Sequence, residues 1–158
     1  MQAIRIADFE AEDVTSFGYV EHLLVRSWRR LAVGSQGPLT MREFDDACGA
    51  DAAEVFLTFS IFLKALAVAG RRPLAIGMPG SLSVTTGERQ VLTLLAAAQD
   101  GTPTLFQAHL RWLARSEQRH ILEIAAGALA TALKVNGLLL IAPAAAAPSV
   151  CEHRLAIA

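Results

Sequence analysis

The chemistry-bearing residues of this chain are sparse, and the densest group is Glu117-Gln118-Arg119-His120, a single Glu-x-x-His. On a helix that spacing puts a carboxylate and an imidazole on one face, as di-iron bundles require, but such bundles combine two of these motifs with carboxylates from further helices. His109 adds a third candidate, and Glu21 or His22 would complete a ligand set. Read as an enzyme, the chain would rest on His109, Glu117 and His120. Each residue also has a plainer account. An acid in a first helical turn meets the positive end of the dipole. His109, between Leu105 and Trp112 on an apolar arc, fits a half-buried imidazole with one hydrogen bond. His22 falls on a charged face. Phosphate loops, dinucleotide fingerprints, zinc-protease and nucleophile-elbow motifs and paired Cys-x-x-Cys are all missing from the sequence. We therefore assign no catalytic residue, no metal site and no cofactor.

Arginines form the next candidates. Arg26, Arg29 and Arg30 gather on one face of the first long helix, and Arg111, Arg115 and Arg119 would cluster if the chain stays helical through Ser116. A guanidinium fork pairs bidentately with phosphate or carboxylate, which suits nucleic acid or an acidic partner. The favoured reading is an ordinary charged face with intramolecular pairs. A DNA-reading helix also needs a tight helix-turn-helix partner, which the Gly34 to Thr40 connection imitates poorly. Arg71 and Arg72 open the longest irregular stretch, Arg71 to Thr86, which contains Gly77, Gly80, Ser81 and Ser83. Such a loop can hold an anion in a nest of amides, or simply route the chain around a bundle end. Turn residues are favoured, with an anion or small-molecule pocket and a partner-binding lid as equal alternatives.

The elements that must position these groups all read as helices. Phe17, Val20, Leu24, Trp28 and Leu31 recur at helical spacing over Ser16 to Val33, with Asp13 or Thr15 as a cap and the opening Ile4, Ile6 and Phe9 packed loosely nearby. Thr40 with Glu43 has capping-box spacing and predicts a short helix over Met41 to Ala47. Asp51 caps a third, Ala52 to Ala69, whose apolar residues lie on almost every side, the mark of a central helix or of one face of an oligomer. Thr85 with Glu88 repeats the capping box and predicts a fourth helix to about Gln99, stopped by Asp100-Gly101. Thr102 and Pro103 start a fifth, with Leu105, Phe106, Leu110, Trp112 and Leu113 as its apolar arc. A sixth runs from Glu117 to Val135 after a Ser116 cap and ends at Gly137. Its Gly127, amid several alanines, predicts a close packing contact.

The expected fold is all-α, a compact bundle of about six helices with a long loop between the third and fourth. Residues 1–142 form one helical domain and 143–158 a spacer and tail. The 158 residues are 53% hydrophobic and 18% charged, with mean hydropathy +0.40, far from a disordered composition. Fourteen basic against fifteen acidic residues leave a net charge of -1, which disfavours nucleic acid as a general partner. Charges interrupt every long apolar run, so no membrane span is expected. The opening decapeptide gains acids where a secretory apolar region should stand, and Cys48 and Cys151 read as a buried small hydrophobe and a tail thiol, so a cytoplasmic protein is expected.

These features favour a non-enzymatic protein-interaction or adaptor protein, self-associating as a homodimer, with Trp112 as a candidate interface anchor and a further protein as a candidate partner. A ligand-sensing or nucleic-acid-associated regulator is the second reading, and an enzyme the third.

Overall fold

The fold, seen in a computed structural model that describes residues 17–34 and 37–141, is all-α. Six α-helices follow in order: α1 (Tyr19–Ala32), α2 (Gly37–Cys48), α3 (Ala52–Ala69), α4 (Thr86–Asp100), α5 (Pro103–Leu113) and α6 (Arg119–Val135). The long connection between α3 and α4 is present as expected. Among the described residues there is no strand, only an isolated antiparallel bridge between Gly70 and Ala114. The candidate caps Asp13 and Thr15, the opening Ile4, Ile6 and Phe9, Cys151 and the expected tail from residue 143 lie outside the described residues.

Local signals explain most helix ends. Thr85 accepts from the Glu88 amide and Glu88 accepts from the Thr85 amide, a complete capping box at the start of α4. Gly101 closes that helix in the left-handed region at φ 65°, where an L side chain is disfavoured. At the end of α6, Gly137 (φ 72°) allows Leu138 to donate to the Leu133 carbonyl and Gly137 to the Lys134 carbonyl. Those two bonds make a Schellman motif, and Leu133 and Leu138 are both buried beside it. Asp51 stands at the cap of α3 and Thr102 at that of α5, but neither side chain makes a capping bond.

The expected Thr40–Glu43 capping box does not form. The helix begins at Gly37, so Thr40 already lies within it. Pro38 suits a first turn because its missing amide would have no helical partner there. Glu43 turns instead toward α1. The chain likewise leaves helix at Ala114 (φ -114°, ψ 145°) and makes a 3-10 turn over Ser116–Gln118, so α6 starts two residues later than expected.

One apolar cluster joins all six helices. α3 lies along α6, α4 packs on α5 and α6, and α2 packs on α3 and α1. Phe44, Phe59 and Phe62 are buried at the centre, with the Phe44 ring edge-on to Phe56 at 5.4 Å and tilted against Phe59 at 5.7 Å. Phe59, Phe62 and Leu66 are buried as the central-helix reading requires, but α3 is not enclosed on all sides. Leu57, Ile61 and Val68 remain at least half exposed. α1 is the more enclosed helix, burying Glu21, Ser27 and Arg29 along with its aliphatics. Gly127 also departs from expectation, since a Cβ built there meets nothing within 4 Å.

Two substitutions test this packing by urea denaturation. Phe62→Ala should cost about 3 to 5 kcal/mol, because its fully buried ring leaves a cavity in the core when removed. Gly127→Ala should stabilise the folded chain by about 0.5 to 1 kcal/mol, since it gains helix propensity in open space. A loss of stability in Gly127→Ala would show that something does occupy that space.

Candidate functional site

The most connected polar group lies where α1 meets the start of α4. The Arg29 side chain is buried, and its Nε and Nη2 donate to the two oxygens of Glu88 at 2.7 and 2.8 Å. Nη1 and Nη2 also donate to the carbonyls of Ser81 and Ser83, both at 2.7 Å. Glu88 in turn accepts from the Gly77 and Thr85 amides, each at 2.9 Å. The Thr85 hydroxyl donates to the Ala75 carbonyl at 2.6 Å. Both ions are thus satisfied from several directions, which a buried pair needs if it is to persist in a low-dielectric interior. Burial alone would raise the Glu88 carboxyl; the Arg29 guanidinium and the two amides outweigh it and hold the carboxyl below the ordinary glutamate value. At Gly77 a Cβ would lie 2.5 Å from the Arg29 guanidinium, so this position is glycine for space.

This arrangement changes the picture of an arginine face on α1. Arg29 is 3% exposed and serves the fold, so it cannot join Arg26 and Arg30 in an external phosphate-binding row. Arg26 and Arg30 both reach Glu43 of α2, at 3.5 and 2.8 Å. The second arginine group does not assemble as an unbroken helical face either, because the chain is extended at Ala114. There Arg115 donates to the Val68 carbonyl and to Gln118, at 2.7 and 2.9 Å, and helps tie the start of α6 to the end of α3. Arg111 is exposed on α5.

The residues of the enzyme reading are not brought together. His109 is half-buried and its Nδ1–H donates to Gln90 of α4. Burial pushes its pKa down, so the ring is neutral at ordinary pH. Glu117 is exposed, and its own amide and the Ser116 hydroxyl hold its carboxyl below the usual value. His120 is exposed on α6. Glu21 is buried and accepts from the Ile141 amide. Among the described residues, no three His, Cys, Asp or Glu side chains are placed to hold a metal ion.

Two open surfaces stand out among the described residues. A groove of about 460 Å³ lies between α1, the end of α3 and the following loop, lined by Trp28, Leu63, Leu66, Leu74 and Ile76 with Arg71 and Arg72. Arg72 also stacks over Trp112 at 5.0 Å from its centroid. Trp112 packs against the core and is not among the large exposed apolar side chains. The second surface runs along α3 and α6. Leu57, Ile61 and Val68 of α3 and Ile121, Ile124 and Val135 of α6 are exposed. A second groove of about 450 Å³ separates the helices, with Glu54 and Thr58 on one wall and Gly127, Ala128, Thr131 and Val135 on the other.

No family model matches this sequence, and no curated protein or solved structure matches the chain. The spacing of Thr85 and Glu88 marks Glu88 as a cap, and its pairing with Arg29 of α1 is not legible in the sequence around it. One signal was present: Arg29 follows Val25 by four residues and adjoins Trp28, on the buried side of α1.

The Arg29–Glu88 pair makes a stability prediction with a definite pH dependence. Arg29→Met should cost about 3 to 5 kcal/mol by stranding a buried carboxylate, and adding Glu88→Gln should recover part of that loss. Because the folded Glu88 carboxyl titrates below its unfolded value of about 4.3, its contribution is complete above that pH and fades as pH falls through the folded value. The stability gap between wild type and Glu88→Gln, followed by denaturation from pH 7 to pH 3, should therefore shrink only at the acid end. A gap constant across that range would contradict a stabilised carboxylate.

Proposed function

We propose that this chain is a non-enzymatic helical interaction protein whose α3–α6 face docks on a second copy of itself. The observation that carries the reading is the self-complementary order of side chains along exposed α3. Glu54, Leu57, Ile61 and Lys64 recur at spacings of three, four and three, and all are exposed. Pairing this stripe with an antiparallel copy, centred between Leu57 and Ile61, sets Leu57 opposite Ile61 and Glu54 opposite Lys64. Apolar contacts then occupy the middle and opposite charges the two ends, as antiparallel helix seams and interface rims favour. Ile121, Ile124, Ala128, Thr131 and Val135 of α6 recur at intervals of three and four beside it and would widen the contact. A stable dimer needs roughly 1,000 Å² buried in total.

The stretch Gly37–Ala69 also contains an 18-residue window of mean hydropathy 1.8, with 39% of it buried in the fold. A membrane surface would cover the same aliphatics, but it offers Glu54 no partner. The two-fold pairing uses both charges.

Sedimentation equilibrium at low micromolar concentration tests this. The wild type should show a mass near twice 16.9 kDa, and Leu57→Glu should shift it to monomer without loss of helix. Glu54→Lys or Lys64→Glu alone sets like charges together at two symmetric places and should weaken association roughly ten-fold. The double exchange should restore most of it. A monomer at every loading concentration sinks the reading, as does a double exchange that behaves no better than the singles. A monomer that instead floats with lipid vesicles would replace the second copy with a membrane.

A further inference from the structure

The groove beside Arg71 and Arg72 has a character the α3–α6 face lacks. Its walls are Trp28 from α1, Leu63 and Leu66 from α3, and Leu74 and Ile76 from the loop, all apolar, while its rim carries two adjacent exposed arginines. Among the described residues neither arginine is in an ion pair, in contrast to Arg26, Arg29 and Arg30, each of which has a carboxylate. A volume of about 460 Å³ falls within the roughly 300 to 1,000 Å³ typical of small-molecule clefts.

The groove is also held open from both ends. At the close of α3, Arg71 donates its amide to the Leu113 carbonyl at 3.0 Å and Arg115 donates to the Ala69 carbonyl at 2.9 Å. At the other end of the lining loop, Glu88 and Arg29 fix Gly77. Ordering the loop is thus done before any ligand arrives, which removes a cost that flexible sites must meet on binding.

We propose that this groove binds an amphipathic carboxylate, an apolar hydrocarbon chain with one anionic head. The chain lies against Trp28, Leu63, Leu66, Leu74 and Ile76, where removing apolar surface from water is favourable. The head meets the guanidinium groups of Arg71 and Arg72, whose planar forks match a carboxylate. Arg72 stays next to Trp112 through its cation–π contact, which leaves N–H edges for the anion. The site does not depend on self-association, because its lining, from α1, the C-terminal end of α3 and the loop, includes none of Glu54, Leu57, Ile61 and Lys64.

Decanoate is the probe, titrated into the full chain below its micellar range. Trp28 lines the groove and Trp112 stacks with Arg72, and these are the chain's two tryptophans, so intrinsic fluorescence and calorimetry can report the same event. We expect saturable binding at one site per chain. Arg71→Gln with Arg72→Gln should weaken decanoate about ten-fold or more and leave decanol unchanged, the size expected for losing charge-assisted contacts. Ala67→Phe, at an exposed position lining the groove, should weaken both ligands. Each variant is first checked for unchanged helix and melting temperature. Absence of saturable binding overturns the proposal, and so does equal affinity of decanoate for wild type and the arginine variant. Undiminished binding to Ala67→Phe would place the ligand elsewhere and overturn it too. Repeating the titration on Leu57→Glu separates this outcome from that of the dimer: binding should persist there even if the dimer is lost or never existed.

Discussion

The buried pairing of Arg29 with Glu88 is the constraint around which the irregular part of this protein is arranged. Taking both ions out of water costs several kcal/mol each, and only close geometry with further hydrogen bonds offsets it. Those further bonds come from the α3–α4 connection: the carbonyls of Ser81 and Ser83 accept from Arg29, and the amides of Gly77 and Thr85 donate to Glu88. The ion pair therefore needs the loop, and the loop's backbone needs the ion pair. A segment without its own helix or sheet ladder must place its polar groups somewhere. Gly77 follows from the same geometry, because any side chain there would strike the guanidinium.

The end of the helical region uses a similar device, with the Gln99 amide at its centre and Glu21 and Lys134 beside it. Beyond α6 the chain leaves helix, with Leu138 and Leu140 buried and Leu139 and Ile141 exposed. The buried Gln99 side chain donates to the Leu138 carbonyl and accepts from the Leu140 amide, at 2.9 and 2.8 Å, while Glu21 accepts from the Ile141 amide. Lys134 donates to the Gln99 carbonyl at 3.0 Å. Polar side chains in the interior thus hold backbone that the helices cannot, while aliphatic and aromatic groups form the core between the helices and polar pairs such as Arg30–Glu43 join them outside it.

How far this could be read in advance depended on how local each signal was. The bounds of α3, the capping box at Thr85 and the stop at Gly101 all rest on a few neighbouring residues, and all appear where expected. Thr40 and Glu43 have the same spacing as Thr85 and Glu88 but a different fate. Pro38 let the helix start earlier, and arginines of α1 took the carboxylate. That competition is tertiary, and no window along the chain contains it. Arg29 was misplaced for a related reason. Its type argued for solvent while its position argued for burial, and the deciding partner lies 59 residues away. The exposure of Leu57, Ile61 and Val68 was likewise hidden, since an all-round apolar helix reads the same whether its neighbours come from its own chain or from another.

α3 shows how one helix can face three environments. Its core side, with Phe59, Phe62 and Leu66, is closed by the other helices. Its C-terminal end turns toward α1 and the loop, but the loop is drawn down onto Arg29 and Glu88 further along and does not collapse onto Leu63 and Leu66, so a groove stays open there. Its outer side borders α6 across a groove whose far wall holds the small Gly127, Ala128 and Thr131. Large side chains at those α6 positions could have closed the surface within one chain. Small ones keep α3 accessible, at the cost in helix propensity that Gly127 carries.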